Sequence, residues 1–360
     1  FGMFDLSDIS SSSSSSDEEN IVQRIPRRRR ALKDRTNPFE LYDEQEFKMR
    51  FRFNKETILW LRDILGAELE PTCNRRKSIS ALNQVLLTMR FLATGAFQQL
   101  VGDTFGVHKS TACIIIQRVV RKIAALKPQY IKMPTQAELQ NVKLGFYRLR
   151  RMPNVIGAID CSHIRIESPG GLEAEVFRNR KNYFSINIQA VCDANIKILN
   201  IVARWPGSVH DSTIFNDSAL CADLENGRYG DGFLLGDSGY ACRSFILTPL
   251  IRPQTAPETA YNNCHKATRN PIERCFGVLK KRFPCLSIGL RTKMETTLTT
   301  IVACCVLHNL AIIANDEEPP RDPEIVLPPE VNEIHVQNNV RIFNNENSAV
   351  RTSLIRTHFG

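Results

Sequence analysis

Apolar residues recur at helical spacing along the first half of the chain. In the segment NKETILWLRDILGAEL, Ile58, Leu61 and Leu65 lie three or four positions apart, as on one face of a helix. A second apolar stripe runs through SISALNQVLLTMRFLATG and ends at Gly95, a residue type that commonly terminates helices. The pattern predicts a helical region over residues 37–150.

The segment AFQQLVGDTFGVHKSTACIIIQRVVRKIAAL predicts a short helix, a turn and a longer helix. The first helix ends near Phe105, Gly106 makes the turn, and the second helix starts at Ser110 or Thr111. This is the outline of a helix-turn-helix, whose second helix enters the major groove of DNA. An ordinary helical hairpin has the same outline, so both interpretations stay open. On the first interpretation, the DNA-contacting residues are Lys109, Ser110, Thr111 and Arg118.

The pattern changes near residue 154 from helical spacing to β-branched, alternating positions. The segments NVIGAIDCSHIRIES, NYFSINIQAVCDAN and IKILNIVARWPG predict three successive strands, and SVHDSTIFNDSALCADLE predicts a helix. A fourth strand, FLLGD, stops at Asp237, and a polar, Pro-rich stretch at 251–270 precedes two helices. This order predicts a mixed α/β domain, a sheet with flanking helices, over residues 151–315.

The two ends of the chain have little apolar content. Residues 1–36 carry a serine run and then a basic cluster that includes Arg27, Arg28, Arg29 and Arg30. Such a segment cannot offset its ordering entropy, so we expect a disordered arm that contacts DNA or directs nuclear import. A solvated charge run is the alternative. We expect a loose tail over 316–360, with one short docking helix in its last twelve residues.

Composition narrows the setting of the protein. The 360 residues suffice for two or three domains, and the net charge of +9 favours an acidic partner such as nucleic acid. Eleven irregularly spaced cysteines predict a reducing compartment, either the nucleus or the cytoplasm. The apolar run IVACCVLHNLAII at 301–313 is too short for a bilayer core of about 30 Å, so we expect no membrane contact.

A zinc site is an alternative for the cysteines of this apolar run. Cys304, Cys305 and His308 lie at helical spacing, and Cys264 or His265 would have to complete the ligand set. The absence of a CxxC pair favours the other interpretation, in which these residues pack as part of an apolar helix.

Three acidic residues lie where predicted elements begin or end. Asp160 ends VIGAID, Asp237 ends FLLGD, and Glu273 lies in the first turn of a helix that Asn270 would cap, with Pro271 at its first position. Open α/β sheets place their sites at strand ends, and a carboxylate cluster suits Mg²⁺ or Mn²⁺. A single aspartate at a strand end is more often a turn residue, so both interpretations stay open.

Five motifs occur in an order that resembles a known family. They are GAIDCSHIRI, WPGSVHDSTIF, LLGDSGY, YNNCHKATRNPIERCFGVLKKRF and ACCVLHN. This order is similar to that of the PIF/Harbinger superfamily of transposases, and more similar still to the Harbinger transposase-derived nucleases of animals, whose THF ending it shares. The resemblance covers roughly residues 40–315.

The resemblance implies an RNase H-like nuclease fold with a DDE triad. Matched by motif, the triad is Asp160, Asp237 and Glu273, and thirty-five residues separate the last two. Asp211, of the HDS segment, is implied to lie near the site as a further metal ligand. The implied activity is hydrolysis of DNA phosphodiester bonds with Mg²⁺ or Mn²⁺. Phosphate contacts on the triad helix would come from Lys280, Lys281 and Arg282.

The resemblance also implies a setting for this activity. Relatives of this type work in the nucleus with a separate Myb/SANT-like DNA-binding protein, and a homo-oligomer is a further expectation. The rival hypothesis is a domesticated DNA-binding or adaptor protein that has lost its chemistry, although the intact set of three acids favours the enzyme.

Overall fold

The computed structural model describes residues 37–66, 69–70, 78–320 and 349–360. These residues belong to one compact unit. The predicted arm at 1–36, with Arg27 to Arg30, lies outside the described residues.

Eight helices fill the described residues between 37 and 150, as the apolar spacing predicts. The helix over 136–150 begins with a capping box in which Glu138 accepts from the backbone N–H of Thr135. Gly95 ends the fourth helix in the left-handed conformation, with φ 60°, as expected for a helix C-terminus. The helices are α1 Pro38–Leu41, α2 Glu44–Phe51, α3 Lys55–Leu65, α4 Ala81–Thr94, α5 Gln98–Thr104, α6 Lys109–Ala125, α7 Lys127–Tyr130 and α8 Gln136–Arg150.

Strands begin at Val155, as the change of pattern predicts, and the mixed α/β class is confirmed. The single helix predicted over 208–225 is two helices, and the second parallel strand, of two residues, was not predicted. The elements are β1 Val155–Arg165, β2 Ser185–Cys192, β3 Ile198–Pro206, α9 Asp211–Asn216, α10 Ala219–Glu225, β4 Phe233–Leu235, β5 Ile246–Leu247, α11 Ala256–Arg282, α12 Cys285–Ile288, α13 Met294–Ile313 and α14 Ala349–Leu354.

The five strands form one mixed sheet in the order β3-β2-β1-β4-β5. β2 pairs with β1 and with β3 in antiparallel fashion, whereas β4 is parallel to β1 and β5 is parallel to β4. β1 therefore lies in the middle of the sheet and carries a neighbour of each kind.

Both faces of the sheet are covered, because alternate residues of each strand point to opposite sides. Ala158 and Ala190 share one face with Leu235, and this face packs into the large core that includes α11, α13 and the early helices. Ile159 and Val191 share the other face, which packs against α9 and α10. The sequence of a strand that is buried on both sides is an almost continuous apolar run, as in VIGAI.

The helical region and the sheet share one core rather than forming separate domains divided near residue 150. The apolar face of α6 packs against α13, which in turn covers β3. Asn309 of α13 is fully buried, and its Nδ2 donates to the carbonyls of Tyr130 and Ile198. The apolar stripe of α6 indicates that a face is buried, but not that its partner lies far along the chain.

α13 is longer than the apolar run 301–313. Its 20 residues span about 30 Å, so it is long and apolar enough to cross a bilayer, contrary to the expectation from the run alone. Within the described residues it is a core helix, with 72% of its most apolar window buried. Cys304 and Cys305 are fully buried among apolar residues, and His308 contacts the Ile196 carbonyl at 2.8 Å, which agrees with packing rather than a zinc site.

The predicted C-terminal docking helix is present. α14 and the π-helical turn Ile355–Phe359 lie against α11, where the Phe359 ring packs edge-on against Tyr261 at 5.9 Å. Nη1 of Arg351 donates to the Thr248 carbonyl, just after β5. The last residues therefore cover the first half of α11.

We expect His265, on α11, to make the free energy of unfolding depend on pH. Its side chain is 1% exposed, and burial lowers its pKa to about 4, against the opposing hydrogen bond to the Leu247 carbonyl. Between pH 6.5 and 4 the unfolded chain binds the proton and the folded chain does not. Stability should therefore fall as pH decreases through this window, by at most about 1.4 kcal/mol per pH unit.

Urea unfolding of His265→Gln between pH 4 and 7 measures this effect. The variant should show a shallower loss of stability toward low pH than the wild type, whereas His358→Gln, at an exposed position, should keep the wild-type slope. Equal slopes in all three proteins would show that His265 is not the source.

Candidate active site

Asp160 lies on β1 at the edge of the large core. Its side chain is 20% exposed, and its Oδ1 accepts from the backbone N–H of Cys161. In the parallel pairing of β1 with β4, Ala158 is the partner of Leu235. Two residues further along come Asp160, within β1, and Asp237, two residues past the end of β4. The register thus brings the first two predicted acids together.

Asp237 is held by the tight turn that follows β4. Its Oδ1 accepts from the backbone N–H of Gly239 at 2.9 Å, as in an Asx turn. Gly236 allows this turn, because a Cβ there would lie 2.9 Å from a ring carbon of Tyr240. The motif GDSGY therefore aims one carboxylate at the end of a buried strand.

Glu273 lies in the middle of α11, not in its first turn. The helix begins at Ala256 with Thr255 as its N-cap and a capping box closed by Glu258, so the predicted cap at Asn270 is wrong. Pro271 is buried inside the helix. A proline there usually costs about 3 kcal/mol, and packing of the neighbouring turns against the sheet overrides this local preference.

Arg269 connects the acid on the strand to the acid on the helix. Its Nη1 donates to Oδ2 of Asp160 at 2.9 Å, and its Nη2 donates to Oε1 of Glu273 at 2.6 Å. The arginine side chain is 14% exposed, whereas that of Glu273 is 54% exposed. Sequence reasoning missed Arg269, although its position one helical turn before Glu273 was a usable signal.

The electrostatics of Asp160 indicate a crowded acidic site. Burial raises the pKa of Asp160 to about 7, and nearby Asp237 adds to the effect, while the guanidinium of Arg269 opposes it. The pKa of Arg269 is itself raised, against the effect of burial, because Asp160, Asp237 and Glu273 surround it. The three predicted acids therefore share one electrostatic environment with one arginine at its centre.

The donor chemistry of this site fits a hard divalent cation, since the acids offer carboxylate oxygens from three separate elements. In the arrangement of the described residues, however, no three His, Cys, Asp or Glu side chains are close enough to hold an ion. The Arg269 guanidinium lies between Asp160 and Glu273, where a cation would have to bind both.

Asp211 lies against the other face of the sheet. Its Oδ1 accepts from Asn187, the β2 residue that pairs with His163 of β1. His163 is three positions beyond Asp160 and so points to the opposite side. The polar groups on this face include Cys161, His163, Asn187, Gln189, Asp211 and Tyr240, linked in part by hydrogen bonds that involve Gln189 and Tyr240.

Three basic residues lie close to His163. Burial lowers the pKa of His163 to about 4, and Arg180, Lys280 and Lys181 are among the further causes. Arg180 and Lys181 are exposed on a loop shaped by buried Asn179, whose Oδ1 accepts from the Lys181 and Tyr183 N–H groups. Sequence reasoning missed this loop, although the RNRK run before β2 was a signal. We call Arg180, Lys181 and Lys280 the basic rim.

The other basic residues predicted on the triad helix are occupied elsewhere. Arg282 is 2% exposed and donates to the backbone carbonyls of Arg52, Asp316 and Glu317, which removes it from any phosphate-contacting surface. Lys281 forms an ion pair with Glu318 at 3.1 Å. The sequence shows that the end of the triad helix is basic, but it does not show which of the basic side chains faces the core.

The two predicted helices are present as α5 and α6, with a turn at Gly106, and α6 starts at Lys109, one residue before the predicted range. A helix-turn-helix and an ordinary helical hairpin share this outline. Lys109, Ser110 and Arg118 are exposed and Thr111 is half-buried. Their contact with DNA stays a prediction.

We expect Glu273→Gln to change the free energy of unfolding by well under 1 kcal/mol in the absence of metal. Gln keeps an oxygen acceptor for Arg269, and an ion pair at a side chain this exposed contributes at most about 1 kcal/mol. The comparison is Thr255→Ala, which removes the true helix cap and should cost about 1 kcal/mol. An equal loss in both variants, measured by urea unfolding in EDTA, would give Glu273 a structural role.

Comparison with known proteins identifies the family of this chain. The DDE superfamily endonuclease family matches residues 159–309, which contain all three acids. The protein named Putative nuclease HARBI1 of Mus musculus is 35% identical over 332 residues, covering 91% of this chain and 93% of the relative, and its Homo sapiens counterpart is 33% identical over the same shares. Protein ALP1-like of Arabidopsis thaliana is 25% identical and covers 76% of this chain and 72% of its own length. No solved structure matches. The chain therefore belongs to the Harbinger transposase-derived nuclease family of DDE superfamily endonucleases.

Proposed function

We propose that this protein is a metal-dependent DNA endonuclease that hydrolyses phosphodiester bonds, with Asp160, Asp237 and Glu273 as its metal-binding acids in an RNase H-like fold. One observation carries the proposal: carboxylates from β1, the end of β4 and α11 surround a single cationic group, Arg269. Clustering of like charges is unfavourable unless a cation compensates it, so such a cluster is typical of a functional site.

The expected cofactor is Mg²⁺ or Mn²⁺, since DDE superfamily endonucleases generally depend on divalent metals and the donors here are hard oxygens. When bound, the cations supply a nucleophilic hydroxide at neutral pH and stabilise the charge on the leaving 3′ oxygen. Asp160 and Asp237 would hold them from the sheet, and Glu273 from the helix. Asp211 lies on the other face of the sheet. It would therefore influence the metal ligands indirectly or reach the metal site only from the edge of the sheet.

The chain's own residues account for substrate binding. The basic rim offers exposed or half-buried cations next to β1, and Arg and Lys contacts to phosphates fix the register of a duplex without reading its sequence. Lys280 follows Glu273 by seven residues on α11 and so lies on the same helix face, two turns further along. A DNA strand bound along this face would have its phosphates near both the rim and the acids.

The second part of the proposal concerns recognition of the DNA sequence. Lys109, Ser110 and Thr111 at the start of α6, with Arg118, would contact DNA, and Arg27 to Arg30 would add backbone contacts. A Myb/SANT-like companion in the nucleus and a homo-oligomer complete the proposal. Cleavage of naked DNA by the isolated chain does not depend on them.

We expect Asp160→Asn and Asp237→Asn each to abolish plasmid nicking in Mn²⁺ or Mg²⁺ while leaving DNA binding intact, because each change removes a metal-binding oxygen charge but no phosphate contact. The assay compares supercoiled and linear DNA with Mn²⁺, Mg²⁺ or EDTA. Asp217→Asn is the matched control, since Asp217 is an exposed aspartate at the end of α9.

Full nicking by either triad variant would contradict the assignment of the acids. Absence of nicking by the wild type under every condition, with DNA binding retained, would favour the adaptor hypothesis. The ion pairs that already compensate Asp160 and Glu273 are the observation in favour of that alternative.

We expect the double variant Arg180→Gln/Lys181→Gln to bind DNA with a weaker salt dependence. If each side chain contacts one phosphate, the slope of log K against log salt concentration should become shallower by about 1.8. Arg62→Gln/Arg228→Gln removes the same charge from surface positions paired with Asp63 and Asp223, and should keep the wild-type slope. Identical slopes for all three proteins would exclude the rim from the DNA interface.

A further inference from the structure

Arg269 makes the central contacts of the acidic site, although no step of the proposed reaction uses it. It lies on α11 one turn before Glu273, and its two Nη atoms bind two different acids, one on the helix and one on the sheet. A single side chain therefore bridges α11 and β1 at the site. Both contacts, at 2.6 and 2.9 Å, are charge-assisted hydrogen bonds, which are stronger than hydrogen bonds between neutral groups.

The two acids that bind Arg269 are differently exposed, at 20% for Asp160 and 54% for Glu273. A metal ion enters such a site from the solvent side, and Glu273 is its outermost acid. Ligation by both acids within about 2.1 Å, as Mg²⁺ requires, needs the space and the lone pairs that the guanidinium now uses. A bound dication beside the guanidinium would also be repelled by it.

We propose that Arg269 is a positioning residue that holds the acids together in the metal-free protein and is displaced from Asp160 and Glu273 when metal binds. This inference rests on the proposed function, since it concerns the same metal site. The arginine acts as an internal cation that competes with the metal. It stabilises the metal-free site and weakens the affinity for the ion by the free energy needed to break its two ion pairs.

The test measures metal binding directly rather than cleavage. Mn²⁺ is titrated into the full chain, and free Mn²⁺ is followed by electron paramagnetic resonance. Arg269→Gln loses one to two charge-assisted hydrogen bonds that compete with the metal ion for the acids. The variant should therefore bind Mn²⁺ about tenfold more tightly than the wild type. Arg274→Gln is the matched control, because Arg274 is exposed on the same helix and its loss changes the net charge equally.

Arg269→Lys provides a second variant should the glutamine variant fail to fold. Lysine keeps the charge but not the fork that bridges two acids, so its Mn²⁺ affinity should lie between the other two. Affinity equal to or below that of the wild type in both Arg269 variants would overturn the proposal, because a purely structural arginine lowers metal affinity when it is lost.

A double-mutant cycle in EDTA tests the bridge without metal. Melting temperatures of Arg269→Gln, Glu273→Ala and the double variant should be non-additive, since alanine removes the acceptor that glutamine would keep, and the double variant should lose less than the sum of the single changes. Additive changes would overturn the bridge itself. If the changes are non-additive but Asp160→Asn leaves Mn²⁺ binding unchanged, the bridge is present and the proposed metal ligands are wrong. If no variant binds Mn²⁺, both proposals fail.

Discussion

The parallel pairing of β4 with β1 is the constraint on which the site depends. β1 is central, and its register with β4 makes Ala158 the partner of Leu235. Because strand residues alternate between faces, a slip of one residue would turn one aspartate toward α9 and away from the other. The buried residues on both faces oppose such a slip, since it would expose apolar side chains of both cores. Packing thus determines the positions of the acids.

The same packing creates an electrostatic problem that the structure answers with an arginine. Two aspartates, one within β1 and one just after β4, repel, and burial adds to the cost of ionising Asp160, as its raised pKa indicates. α11 supplies Arg269 on the side that faces the sheet and Glu273 one turn later. One helix therefore contributes both a further acid and the charge that compensates the cluster. The counterion of this acidic cluster is therefore part of the chain itself.

Sequence predicts those features that local pattern determines, and misses those that depend on distant contacts. The strands at Val155, Ser185 and Ile198 follow from alternation of β-branched residues, and the position of Asp237 just after β4 follows from where its apolar run stops. Asp160 was expected at a strand end as well, but it lies within β1, which continues to Arg165 beyond the apolar run. The start of α11 was predicted wrongly, since the stretch 251–270 is polar and Pro271 normally begins a helix. Burial of Tyr261 and His265 against the sheet and the C-terminal segment extends the helix backwards. The sequence TAPE at 255–258 is itself a capping-box pattern with a proline near the helix start, and this local signal was missed.

Basic residues show the same limit. Arg282 is the last of three consecutive basic residues. From composition alone, all three would be expected to face solvent or to contact DNA. Its guanidinium instead satisfies carbonyl groups of Arg52 and Asp316, which lie far apart along the chain. Arg282 also pairs with the carboxylate of Asp316 at 3.5 Å, but that carboxylate is fully buried. Arg269 differs because its carboxylate partners lie at the edge of the core. The contacts of Arg282 are shielded from solvent, since its side chain is 3% exposed and that of Asp316 is 0% exposed. A carboxylate near solvent can exchange an arginine for a metal ion, and the exposure of Glu273 leaves a route for that exchange.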